Sequence, residues 1–143
     1  MIIIDINSLD RFIAPQENTY SIALREILGG KKLTHWMWYM FPQLRGLGRS
    51  STSRAYGISG LDEAKAYLEH SVLAGRLYEL CNALLMHKGK SAYEIFGPVD
   101  AMKLKSSMTL FSLASEDHTI FDEVLDCFFN GAMDEVTVRL ING

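Results

Sequence analysis

Apolar residues recur at helical spacing along most of the chain, and the breaks between runs carry stop signals. Tyr20, Ala23, Leu24, Ile27 and Leu28 share one helical face, and Gly29-Gly30 supplies a left-handed stop. Ahead of them, Ser8 can cap a short turn through Phe12, and Pro15 suits the first turn of the main helix. Thr34 to Met40 predicts a short helix ending before Pro42, which disfavours α geometry at Phe41. Gln43 to Ser53 reads as a loop. Ser59 and Asp62 form a capping-box-like pair opening Leu61 to His70. Ser71 to about Met86 follows with Leu73, Leu77, Leu80, Cys81, Leu84 and Leu85 inward, and His87-Lys88-Gly89 marks its end. Ser91 and Glu94 repeat the capping box for a short helix stopped by Gly97-Pro98. Val99 to about Leu113 is helical with a basic, hydroxylic face, Thr119 caps Ile120 to Phe129, and Asp134 through Leu140 closes the pattern. Ile2 to Ile6 is a β-branched run with no strand-like partner, so it reads as an extended arm. The expectation is an all-α fold: one compact domain over residues 1–143, of six or seven helices, with a short extended N-terminal arm.

Length and composition agree. A domain of 143 residues buries roughly 70% of its unfolded surface, enough for a core without staples. The 48% apolar and 22% charged content is that of a folded globular chain. Cys81 and Cys127 sit in apolar helical patterns without a CxxC partner, which fits buried thiols in a reducing compartment. The opening MIII lacks a basic n-region, and no window reaches ~18 uninterrupted apolar residues. A cytoplasmic protein without membrane association is expected. The net charge of -3 argues against general affinity for nucleic acid.

Charge is unevenly spread. From Ile27 to Leu61 lie Lys31, Lys32, Arg45, Arg49 and Arg54 with no acidic residue, a local +5 that leaves -8 for the rest. Both tryptophans, Trp36 and Trp38, fall in this window. Their rings could stack on a ligand, although aromatic residues also dominate cores. His35 beside them could titrate near neutrality as a general base, or could be a structural histidine with a hydrogen-bonded ring nitrogen. In the loop that follows, Gln43, Arg45, Arg49, Ser50 and Ser53 combine small residues with guanidinium groups suited to an anion. A solvated basic turn has the same composition, and the glycines match neither a Walker loop nor a dinucleotide fingerprint. Further on, Asp100, Lys103 and Ser107 line up on one helical face, an arrangement that equally describes an exposed helix ion pair. No Cys or His spacing suggests a metal, and no cofactor is implied.

Four blocks, HWMWYMFPQLRGLGRS, DEAKAYLEH with VLAGRLYE, IFGPVDAMKLKSSMTLF and FDEVLDCFFNGAMDEVTVRLI, resemble the bacterial domain-of-unknown-function family eighteen-ten, some of whose members have been mislabelled calpastatin. The resemblance runs from about Leu9 to Ile141 and implies a compact, mainly helical, cytoplasmic domain. It supplies no activity. The chain departs from the family pattern at Ala14-Pro15-Gln16 and from His70 to Gly75, outside both polar blocks.

Together these observations point to a pocket for a small anionic, nucleotide-like ligand, with Trp36 and Trp38 as walls and Arg45, Arg49 and Lys103 as counter-charge. The alternative is a protein interaction module, its aromatic and basic patch facing an acidic partner. A reaction, if there is one, would be that of a metal-independent hydrolase or transferase on an anionic metabolite, with His35 as base. Two basic blocks repel unless an anion sits between them, so the loop at 43–53 and the helix at 100–109 are expected to share one cleft.

Overall fold

The computed structural model describes residues 8–143; the segment from Ile2 to Ile6 lies outside them. Eight helices follow in order among these residues: α1 Asp10–Leu28, α2 Met37–Met40, α3 Ser51–Ala55, α4 Leu61–Glu69, α5 Ser71–Leu85, α6 Ala92–Ala114, α7 Thr119–Phe129 and α8 Glu135–Asn142. The bridge between Leu44 and Ile58 is isolated, so no sheet forms among them.

α6 is the hub. It packs against α4, α7 and α8, while α5 packs against α1, α4 and α7. Leu104, Met108, Leu110 and Phe111 of α6 are fully buried in one core with Leu73, Leu77 and Cys81 of α5 and Phe121 and Val124 of α7. Aromatic edges link the layers, with ring centroids 5.3 Å apart for Phe12 and Tyr67, 5.1 Å for Tyr67 and Phe111, and 5.8 Å for Phe111 and Phe121. Burying these rings together with the aliphatic side chains of the same core stabilises the fold.

Local chemistry explains where the elements start and bend. Ser91 and Glu94 make the reciprocal capping box, and Gly97 at φ 79° kinks α6 ahead of Pro98, a left-handed geometry that favours glycine. Other boundaries differ from the expected ones. α1 is continuous through Pro15: a proline there denies one bond, to the Arg11 carbonyl, and the buried Phe12 and Gln16 on either side hold the helix together. α4 starts at Gly60 without a side-chain cap, because Glu63 rather than Ser59 makes the link, accepting from the Ser59 N–H at 2.9 Å. Asp117 Oδ1, not Thr119, serves the start of α7 by accepting from the Thr119 N–H and hydroxyl. The expected loop at 43–53 contains the start of α3, whose first turn is capped by Ser50.

The hydroxyls of α6 do not form a polar outer face. Ser106 donates to the Met102 carbonyl and Thr109 to that of Lys105, so both hydroxyls are satisfied four residues back inside the buried helix.

Candidate functional site

Three buried polar residues of α1 position the segment at 33–60. The first is Glu26. Its Oε1 accepts from the backbone N–H groups of Leu33 and Thr34 at 2.7 and 3.0 Å and from the Trp36 indole at 2.9 Å. Its Oε2 accepts from the Thr34 hydroxyl at 2.7 Å. Burial alone would raise the pKa of this carboxyl, but the four donors outweigh that and hold it at about 2, against an ordinary 4.5. Glu26 is therefore ionised and anchors the aromatic stretch.

The second is Gln16, whose Nε2 donates to the Tyr39 carbonyl at 2.7 Å and to the Tyr67 hydroxyl at 3.1 Å. Its Oε1 accepts from Arg76 at 3.2 Å. The third is Arg11, which uses all five donors. Nε reaches the Ala55 carbonyl, Nη1 the Ser8 carbonyl and Glu63 Oε2, and Nη2 the Gly57 carbonyl and Glu63 Oε1. This is a bidentate, buried pair. Burial pulls the Glu63 carboxyl up, but Arg11 and the Ser59 N–H prevail and keep it below the usual range.

On this base the loop from 44 to 58 closes on itself. The Arg45 N–H donates to the Ile58 carbonyl at 2.7 Å and the Ile58 N–H to the Gln43 carbonyl at 2.8 Å. Gly57 is required at the crossing, since a Cβ there would sit 2.7 Å from the Arg45 Cα. Beside the bridge, Trp38, Gln43, Gly48, Ser53 and Tyr56 line a crevice of about 10 Å³. Ser50 and Ser53 hydroxyls share a 2.8 Å hydrogen bond at the start of α3. Over the indole of Trp38, 4.7 Å from its centroid, lies Lys103 Nζ. Asp100 holds that ammonium at 3.4 Å and Lys32 at 2.9 Å, and Lys32 in turn lies 5.1 Å from the Trp36 ring.

Lys103 thus meets Trp38 rather than the loop at 43–53, and of the expected loop residues Gln43 and Ser53 line the crevice beside Trp38. The other expected site residues lie elsewhere. Trp36 is 1% exposed, so its indole offers no surface to a ligand or a protein partner, while Trp38 is half-buried. Ser107 is sealed at 0% exposure, and its hydroxyl has no hydrogen-bond partner among the described residues. His35 is exposed and does not line the crevice. Arg45 donates to the Gly57 carbonyl at 3.1 Å and lines a separate groove of about 320 Å³ with Ser59, Leu61 and Leu140. Arg49 is exposed just before α3. Among the described residues no group of three or more His, Cys, Asp or Glu could hold a metal ion, and no helix is long and apolar enough to cross a membrane.

The fold is a single compact all-helical domain with an aromatic, basic loop pinned to its first helix. Residues 6–141 match the model of a family described as protein of unknown function, DUF1810, and the chain belongs to that family. The backbone is similar to the crystal structure of the conserved hypothetical protein Rv1873 from Mycobacterium tuberculosis, with a TM-score of 0.94 and 44% identity over 97% of this chain and 99% of that one. No curated protein matches the chain.

Proposed function

We propose that the chain binds a small anionic ligand at the mouth of the Trp38 crevice, with Lys103 as its counter-charge. The observation that supports this best is convergence: Trp38, Gln43 and Ser53 line one crevice, and Lys103 lies over the same indole. Lys32 and Lys103 share Asp100, so the trio keeps one net positive charge for an incoming anion. A crevice of about 10 Å³ accepts a single water-sized group. One phosphate or carboxylate oxygen enters it, and the rest of a nucleotide-sized ligand lies across Trp38 and the turn at 48–53.

Binding fits these residues better than catalysis. The crevice is lined by amide, hydroxyl and indole groups, with no carboxylate, imidazole or thiol among them. Its phenol, Tyr56, is pushed upward by burial and then by Tyr39, which keeps it protonated and removes it as a base. The test is tryptophan fluorescence during titration with AMP and with inorganic phosphate. A saturable change is expected that disappears in Trp38→Phe and that needs about tenfold more ligand in Lys103→Gln, the loss of one charged hydrogen bond. No change at millimolar concentration, or a change that persists in Trp38→Phe, overturns the proposal.

A further inference from the structure

Each tryptophan of the pair has an ammonium over its ring, and both ammoniums share one carboxylate. Lys32 Nζ lies 5.1 Å from the Trp36 ring and Lys103 Nζ 4.7 Å from that of Trp38. Between them, Asp100 offers Oδ2 to Lys32 at 2.9 Å and Oδ1 to Lys103 at 3.4 Å. The two contacts are unequal. The Lys32 side chain is 8% exposed and that of Lys103 21%, so the shorter pair is also the one better shielded from water, where opposite charges attract more strongly. The backbone adds to this, since the Lys32 N–H donates to the Ile95 carbonyl at 2.7 Å. Lys32 therefore stays with Asp100, and Lys103 is the cation that an anion over Trp38 can take.

That division limits the charge the site accepts. The first negative charge of a ligand meets Lys103. A second finds Lys32 already neutralised by Asp100, Arg45 donating to the Gly57 carbonyl beside a separate groove, and Arg49 outside the crevice lining. It also approaches the Asp100 carboxylate, which lies 3.4 Å from the same ammonium, and like charges at such range repel.

We infer that Asp100 sets the charge selectivity of the Trp38 site, so that a nucleotide phosphodiester binds in preference to a phosphomonoester, a selectivity that rests on the crevice being the anion site proposed above. Fluorescence titrations of the full chain with cyclic AMP and with AMP, at pH 8 and equal ionic strength, test it, because the phosphate of AMP is doubly charged there and that of cyclic AMP singly. The parent should favour cyclic AMP by about tenfold. Asp100→Asn frees Lys32 as a second counter-charge and should move the ratio of the two affinities toward AMP by about tenfold or more. Comparing ratios between proteins cancels the difference in ligand shape. Lys32→Met/Asp100→Asn leaves no shielded ammonium unpaired and should move the ratio the same way but less, since the repulsion is lost and no cation is gained. A parent that prefers AMP, or a ratio unchanged in both variants, overturns this inference alone. Failure of both nucleotides to bind the parent overturns the crevice reading and this one with it.

Discussion

The Trp36 indole donates to Glu26 Oε1 at 2.9 Å, tying the residue before α2 to the last turns of α1. Each of the four groups bonded to Glu26 is a donor. Three of them meet Oε1 and the fourth, the Thr34 hydroxyl on Oε2, can also accept, so Glu26→Gln can keep the bonds but loses the charge that strengthens them and should cost about 1–2 kcal/mol at pH 7. The pH dependence has a definite sign. A folded pKa depressed from 4.5 to about 2 gives stability that is present above 4.5 and lost as pH falls toward 2. Urea unfolding at pH 7 and pH 3 should show the parent losing more stability than Glu26→Gln over that interval. Glu63, also depressed, leaves the variant some acid sensitivity. Equal stability of parent and variant at pH 7 would contradict this anchoring role.

Arg11 bridges the start of α1, the chain at 55–57 and α4 through five donors. Lysine keeps the charge but has three donors and no planar fork. Arg11→Lys should lower stability by about 2–4 kcal/mol, since carbonyls and part of the Glu63 carboxylate lose buried partners. Denaturant midpoints check this; a change below 1 kcal/mol, roughly the value of an exposed pair, would remove Arg11 as the staple.

The hydroxyls of α6 should respond in opposite directions. Ser107 buries an oxygen without a partner among the described residues, so Ser107→Ala should match or exceed the parent by up to about 1 kcal/mol. Thr109 donates to Lys105 and accepts from the Asp134 N–H at 2.8 Å, so Thr109→Val strands a donor and should cost about 1–3 kcal/mol. Thermal unfolding of the pair settles the comparison, and a large loss in Ser107→Ala would mean that its hydroxyl has an essential partner.

Much of the helical frame was legible in the residues. Ser91 and Glu94 cap α6, and Gly97-Pro98 kinks it, because capping and left-handed turns depend on a few adjacent positions. The anchors were not, since a buried polar side chain is chosen by partners far along the chain. Arg11 pairs across to Glu63, and Gln16 across to Tyr67. A signal did exist: Phe12, Gln16, Ala23 and Ile27 are all buried and share one helical face, which places Gln16 in the apolar stripe. The two tryptophans also carried a warning. On the expected helix over Thr34 to Met40, residues two apart point about 160° apart, so only one ring could face the core. Trp36 in fact lies just before α2 with non-helical φ and ψ, and its bond to Glu26 places it inside, while Trp38 is half-buried.

The most direct measurement is a 1H–15N correlation spectrum recorded while AMP is added, in which the two indole N–H groups report separately. The Trp38 signal should move saturably with that of the Gln43 side-chain amide, while the Trp36 signal stays in place because Glu26 holds its N–H inside the core. If the Trp38 and Gln43 signals stay still at millimolar AMP, or only the Trp36 signal moves, the crevice does not bind the anion.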